Sequence, residues 1–278
     1  MLSKKQIENL VGSVKKNKKY GFISKELIRE EILRYFRINP KSVRFLDHEK
    51  SDKFKGIVKS IRAKLHLVYG SFQTKSKDKR KAFLKEIKGK DDYKTHDKIL
   101  SGSVSSSERL KDYKKLYKDI FKITGNPKKI LDLGCGLNPV SYPYMGLDEL
   151  SYSAYDIDRE DCDFLNKYFI LMKQYSKLKG KVYVGNLKNS FRKLPKADVC
   201  FMFKFLDPLE EKGHKLSEEI IKSLDCKYII VSFSTKTISG RRMRYPYRGW
   251  IEKMLNRINL EFDRFNLENE VFYIIHKS

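Results

Sequence analysis

Apolar positions in the first third of the chain recur every three to four residues. In "SKELIREEILRYFRI" (24–38), Leu27, Ile28, Ile32, Leu33 and Phe36 share one side of a 3.6-residue helix. Ser24 stands where an N-cap belongs, and acids occupy the first turns. Segment 54–72 repeats the pattern through Ile57, Ile61, Leu65 and Val68, and 3–17 reads as a third helix. The stretch 74–98 is polar and highly charged, with a few apolar residues at helical spacing. It reads as a further helix or a mobile arm. "SGSVSSS" (101–107) reads as a serine-rich hinge. Ser107 is placed to cap a helix over 108–124, whose Leu110, Tyr113, Leu116, Tyr117 and Ile120 form one apolar face.

From residue 129 the period changes. Strands are predicted at 129–133, 151–155, 181–184, 198–203, 228–233, 261–267 and 271–276, with helices between the first five. The last two are joined by a tight turn and form an antiparallel hairpin. This is an α/β, Rossmann-like pattern: a seven-stranded, mostly parallel sheet with a C-terminal antiparallel hairpin, preceded by a helical domain. The composition divides the chain into a basic helical domain, 1–100, and an α/β domain, 101–278.

Charge adds a partner to this outline. The formal net charge is +25. Residues 1–100 carry 28 Lys and Arg against 12 Asp and Glu, so more than half of the excess lies in about a third of the chain. Such a balance predicts a polyanion, nucleic acid before membrane. Cys135, Cys162, Cys200 and Cys226 form no C-x-x-C pair and stand beside no His at zinc spacing, so no metal is expected and they read as buried hydrophobes in a reducing compartment. The N-terminus is broken by charges, and no apolar run approaches the ~20 residues of a membrane span. A cytoplasmic monomer is expected.

The candidate chemistry begins at "ILDLGCGLNP" (130–139). The first apolar run ends in Asp132, and Gly134 and Gly136 permit a tight turn and close approach of a ligand at the mouth of the sheet. Asn138 and Pro139 read as N-cap and N1 of the next helix, which Pro143 should keep short or irregular. A dinucleotide fingerprint would place its third glycine at residue 139, which is proline, and no Gly-Lys-Ser/Thr follows for a P-loop. A nucleoside without phosphates fits better, and S-adenosylmethionine (SAM) is such a ligand. Its ribose needs a carboxylate at the end of the second strand. Asp156, twenty residues after Gly136, supplies it, and Asp158 reads as a helix cap.

"DLGCGLNP", "YDID", "FKFLDPLE", "SFSTKTISG" and "ENEVFYIIHK", in this order, resemble the aminoglycoside-resistance 16S rRNA (guanine-N7) methyltransferases. "KLHLVYGSF" (64–72) and "SSSERLKDY" (105–113) resemble the end of that family's helical bundle and its linker. The resemblance implies a class I SAM-methyltransferase fold. It implies that Asp132 and the turn Gly134, Cys135, Gly136 with Asn138 and Pro139 hold the methionine part of SAM. It assigns the ribose to Asp156 and Ile157, the adenine contacts to Asn186 and Leu187, and the SAM carboxylate to Arg109. Lys204 and Phe205 match a positioning motif after strand four. The chain departs from the family pattern at Ser103, where a His is usual, and at Asp207 and Ser234, where prolines are usual.

No acid occurs between Asp225 and Glu252. There "KTISGRRMRYPYRGW" (236–250) interleaves Lys236, Arg241, Arg242, Arg244 and Arg248 with Tyr245 and Tyr247, a composition suited to phosphate contacts and base stacking. With Lys204 these are the candidate RNA contacts. Lys15, Lys16, Lys18, Lys19, Arg44, Lys53 and Lys64 are candidates for a second basic face. Guanine N7 carries a free lone pair and no proton, so methyl transfer to it needs alignment rather than a general base. In A-form RNA that atom faces a deep, narrow groove, so the base has to be extruded. Phe203, Phe205, Tyr245 and Tyr247 are stacking candidates. The expected partner is the 16S rRNA of the assembled small ribosomal subunit; the resemblance associates such modification with antibiotic resistance, and drug protection and housekeeping modification both stay open. Two other readings stand beside it: a methyltransferase for another rRNA or tRNA site, and a non-catalytic ribosome-assembly factor on a relict SAM fold.

Overall fold

The computed structural model describes the chain apart from residues 1, 18, 19, 22, 66–76, 186, 188–190, 210–212, 238, 239 and 278. The chain divides into two compact units, Met1–Gln73 and Thr74–Ser278.

In the first unit, α1 (Lys4–Lys15), α2 (Lys25–Ile38) and α3 (Asp52–Leu65) pack around Leu10, Val14, Ile28, Ile32, Ile61 and Leu65, all fully buried. Ser3 and Gln6 form a capping box on α1, and the Leu27 amide donates to the Ser24 hydroxyl on α2. Arg62 donates to the Ser13 and Val14 carbonyls, which satisfies the C-terminal end of α1. Lys16, Arg44 and Lys53 are exposed, and Lys53 and Arg44 both lie over the Phe45 ring. Lys18 and Lys19 lie outside the described residues.

The second unit begins with α4 (Lys77–Glu86), α5 (Tyr93–Leu100), α6 (Val104–Arg109) and α7 (Tyr113–Thr124). The charged stretch before residue 100 therefore contains two helices. They belong to this unit, and the expected boundary at residue 100 moves to 73/74. The reason is packing: Ile87, Ile99 and Leu100 join the same core as the sheet and α7. The serine segment is also not a plain hinge. Val104–Ser107 is the start of α6, so Ser107 lies inside a helix, and Ser103 occupies its N-cap.

The strands are β1 (Lys129–Leu133), β2 (Glu149–Asp156), β3 (Lys177–Val184), β4 (Ala197–Phe203), β5 (Cys226–Ser234), β6 (Phe262–Leu267) and β7 (Glu270–His276). Their order is β3-β2-β1-β4-β5-β7-β6, with only β7 antiparallel to its two neighbours. The order reverses between β1 and β4, which places the ligand crevice beyond the end of β1. On one face the core is built by α7, by α8 (Arg159–Met172) and by a 3-10 helix over Asn138–Met145. On the other it is built by α9 (Lys215–Ser223) and α10 (Gly249–Arg257). Pro143 lies inside the 3-10 helix and precludes a regular α-helix there. All four cysteines are buried and unpaired. No helix among the described residues is long and apolar enough to cross a membrane.

Candidate active site and nucleic-acid interface

The turn after β1 depends on left-handed backbone at Gly134 (φ 67°) and Gly136 (φ 49°). A Cβ built on Gly134 would collide with Phe205 Cδ2, so the turn also needs glycine for space. Its amides are already engaged. Gly134 and Cys135 donate to the Tyr155 carbonyl at 2.9 and 3.1 Å, and Gly136 donates to Asp156 Oδ2 at 2.8 Å. A pyrophosphate requires such amides to point at it. Here they point into β2, and what the turn presents beside them is a carboxylate. This donor and acceptor set fits the ribose of SAM and not a dinucleotide phosphate.

Asp156 is half-buried. Its Oδ1 accepts from the amides of Ile157 and Asp158 at 2.7 and 3.0 Å. Burial pushes its carboxyl up to about 6, against the opposing pull of those amides. Asp158 caps α8, as its spacing predicts, accepting from Glu160 and Asp161. Leu187 is buried in the second core, and Asn186 lies outside the described residues.

Asn138 is not the helix cap expected from sequence. Leu137 holds that position, without a side-chain bond. The Asn138 side chain turns inward and donates to Asp132 Oδ2 at 2.9 Å, and the Tyr152 hydroxyl donates to the same oxygen at 2.6 Å. A fully buried carboxyl explains the difference, because without Asn138 the Tyr152 hydroxyl alone would donate to Asp132 Oδ2. Burial raises Asp132 to about 6. Pro139 is buried one residue further into the 3-10 helix than expected. Cys135 is buried and its thiol is pushed well up, so it is not a nucleophile.

Arg109 is 3% exposed and forms a bidentate pair with Glu270, with Nε and Nη2 each 2.8 Å from a carboxylate oxygen. The Phe203 ring lies under the guanidinium at 4.9 Å. Lys204 Nζ pairs with Glu108 and lies 3.6 Å from Glu270 Oε2. The Ser232 hydroxyl also bonds Glu270. Burial pushes the Glu270 carboxyl up, but Arg109 and Lys204 outweigh this and hold it below its ordinary value. Lys204 adopts φ 53°, with its amide donating to the Ser232 carbonyl at 3.1 Å. Its ammonium thus belongs to an interior network of two cations and two acids that joins α6, β4, β5 and β7. Sequence patterning does not identify Glu270, Ser232 or Glu108 as site residues. Its one signal is an acid opening the otherwise apolar "EVFYII".

The basic loop after β5 separates into two kinds of residue. Arg241, Arg242 and Arg244 are exposed, and Tyr245 is the most exposed large ring among the described residues at 74%. Lys236 is half-buried and bridges to Arg242. Tyr247 lies under Arg264 at 4.0 Å. Arg248 differs from the surface contact expected of it. It is 14% exposed and donates to Asp207, to the Ser234 carbonyl and to the Pro246 carbonyl, bracing the loop from inside. Asp207, one of the departures from the family pattern, provides its anion. Trp250 packs on the second core, stacked on His214 at 3.9 Å.

The family described as Ribosomal RNA methyltransferase (FmrO) matches residues 32–274. A 16S rRNA (guanine(1405)-N(7))-methyltransferase of Micromonospora rosea is 29% identical over 258 residues, covering 88% of this chain and 92% of that protein. A protein of the same description from Proteus mirabilis is 27% identical over 265 residues, covering 88% and 93%. Among solved structures, the 16S rRNA methyltransferase RmtF, in complex with S-adenosyl-L-homocysteine, gives a TM-score of 0.76 at 20% identity over 100% of both chains. The 16S rRNA methylase RmtB gives 0.73 at 24% identity over 98% of both. These two share the fold described above. With the match running through both the glycine turn and the buried Arg109–Glu270 pair, the chain belongs to the ribosomal RNA methyltransferase (FmrO) family.

Proposed function

We propose that this protein transfers the methyl group of SAM to N7 of a guanine in the decoding region of 16S rRNA, within assembled small ribosomal subunits, and that the modification confers aminoglycoside resistance. The supporting observation is similarity along nearly the whole chain to relatives described as guanine-N7 enzymes. When bound, SAM supplies an electrophilic methyl group on a sulfonium. The residues of this chain orient and enclose. Gly134 and Gly136 give a ligand close access to the backbone, and Asp156 accepts from the ribose hydroxyls. The Arg109 fork, held by Glu270, meets the methionine carboxylate on this reading. Phe205, against Gly134, stands at the mouth where the target base enters. No proton has to be moved from N7, so alignment is the main catalytic demand.

RNA is held by the exposed part of the basic loop, Arg241, Arg242, Arg244 and Tyr245, together with the basic face of the N-terminal unit. Reversing charge at Arg241 and Arg244 tests the loop. Binding to small subunits is expected to weaken, and the slope of log affinity against log salt to drop by about 1 for each phosphate that is no longer neutralised. Unchanged affinity and slope would exclude the loop from the interface. Arg248→Glu is expected to unfold the loop instead, because its partners are internal.

A further inference from the structure

We propose that the open face of the β2–β3 edge is a further RNA-binding surface, which grips the phosphate backbone of the rRNA substrate through Lys177, Lys179 and Lys181. This rests on the reading of the protein as an rRNA-modifying enzyme.

Parallel sheets in doubly wound domains are normally covered on both faces, and their strands read as nearly continuous apolar runs. β3 reads "KLKGKVYV" and does not. Its even-numbered residues face α8: Leu178 and Val182 are buried, and a Cβ on Gly180 would collide with Phe169. Its odd-numbered residues Lys177, Lys179, Lys181 and Tyr183 are exposed, as is Ser151 on β2. The other face of β3 is therefore open, while Ser153 and Tyr155 beside it on β2 are half-buried. Three lysines at two-residue spacing stand in a row on the outermost strand.

The charge on this face is one-sided. On the open face of β2 and β3, Glu149 is the one acid among the strand residues, in register with Lys177, and Asp198 on the neighbouring β4 is engaged by the amides of Lys128 and Lys129 and by Lys227. None of Lys177, Lys179, Lys181 or the exposed Lys129 on β1 forms an ion pair with a described acid. Cationic side chains left unpaired on a flat surface suit a polyanion. The row also has an aromatic end. Tyr183 is 43% exposed and stacks on Tyr155, with centroids 5.0 Å apart and planes 24° from parallel. An exposed ring of this kind can stack an unpaired base. From Lys177 to Tyr183 the row runs about 20 Å along the strand. It ends beside the ribose acid, since Asp156 follows Tyr155 and is in register with Val184. A strand of RNA lying on these lysines would thus be led to the cofactor mouth from the sheet edge.

Edge-strand lysines also serve to prevent strand pairing between molecules, and the two roles give different results. In the full-length protein, Lys177→Gln, Lys179→Gln and Lys181→Gln together are expected to weaken binding to purified small ribosomal subunits at least tenfold. The log–log salt slope should fall by about 2, while SAM affinity by calorimetry is unchanged. The corresponding Lys→Arg triple variant is expected to restore both. If the triple Gln variant does not fold, Lys179→Gln alone should lower the slope by about 0.7–0.9. Parental affinity and slope in a Gln variant, with or without self-association, would overturn the proposal while leaving the enzyme reading intact. Failure of the unaltered protein to bind or methylate small subunits would overturn that reading and this surface with it.

Discussion

Asp156→Asn should fold and yet lose SAM. On the proposed assignment the carboxylate accepts both ribose hydroxyls, and hydrogen bonds to a charged group contribute about 1.5–3 kcal/mol each. Losing the charge should therefore weaken SAM binding by roughly 10²–10⁴-fold. Folding should not suffer in the same way. Burial raises this carboxyl from 3.8 to about 6, so the folded protein holds the proton more tightly than the unfolded chain. Ionising it in place costs stability, and that cost accumulates as pH rises from about 4 to about 6 and is complete above that. A neutral amide avoids it, but its NH2 then faces a backbone N–H from which the carboxylate accepts, so a smaller loss of stability remains. Calorimetry and thermal melting at about pH 7.5, well above the folded value, separate the two effects. In the parent protein, SAM affinity should fall as pH is lowered through about 6, where Asp156 takes up its proton. A pH-independent affinity, or a variant that binds SAM normally, would remove Asp156 from the ribose site.

The second large effect is expected at Glu270. This carboxylate is 2% exposed and faces two cations, Arg109 and Lys204. Removing it by Glu270→Ala leaves both like charges in the interior with Glu108 as their remaining acid. Breaking a buried ion pair from one side costs about 3–5 kcal/mol. For a unit of this size each kcal/mol moves the melting temperature by about 2–4 °C, so a fall of roughly 10 °C is expected. Denaturant melts of Glu270→Ala and Arg109→Ala, alone and combined, check this. The double variant should be less destabilised than the sum, because each single change strands a partner. Additive losses would mean that the pair does not act as a unit.

These two residues also show how much the sequence reveals. The place of Asp156 in the fold is legible because it follows from local rules: a strand ends, a glycine turn follows, and an acid closes the next strand. The same holds for the seven strands and for Asp158 as a cap. Glu270 is not legible. Its role depends on Arg109, 161 residues away along the chain, and on the backbone twist at Lys204. Arg248 illustrates the limit from the other side. In the sequence it is one of several arginines among tyrosines, and only the approach of Asp207 and the Ser234 carbonyl turns it inward. Asn138 beside Pro139 reads as a helix cap until Asp132 competes for its amide. The boundary at residue 73 is hidden because α4 and α5 are as charged as the helices before them. What assigns them to the second unit is a few apolar residues, Ile87, Ile99 and Leu100, in its core.

The most direct test of the account is to incubate the protein with methyl-labelled SAM and purified small ribosomal subunits, then locate the label in the rRNA. Borohydride and aniline cleavage, which breaks the chain at N7-methylguanine, is expected to give one cut, at a guanine of the decoding region. Label on another atom or base, or no transfer by a protein that binds both SAM and the subunit, would contradict it.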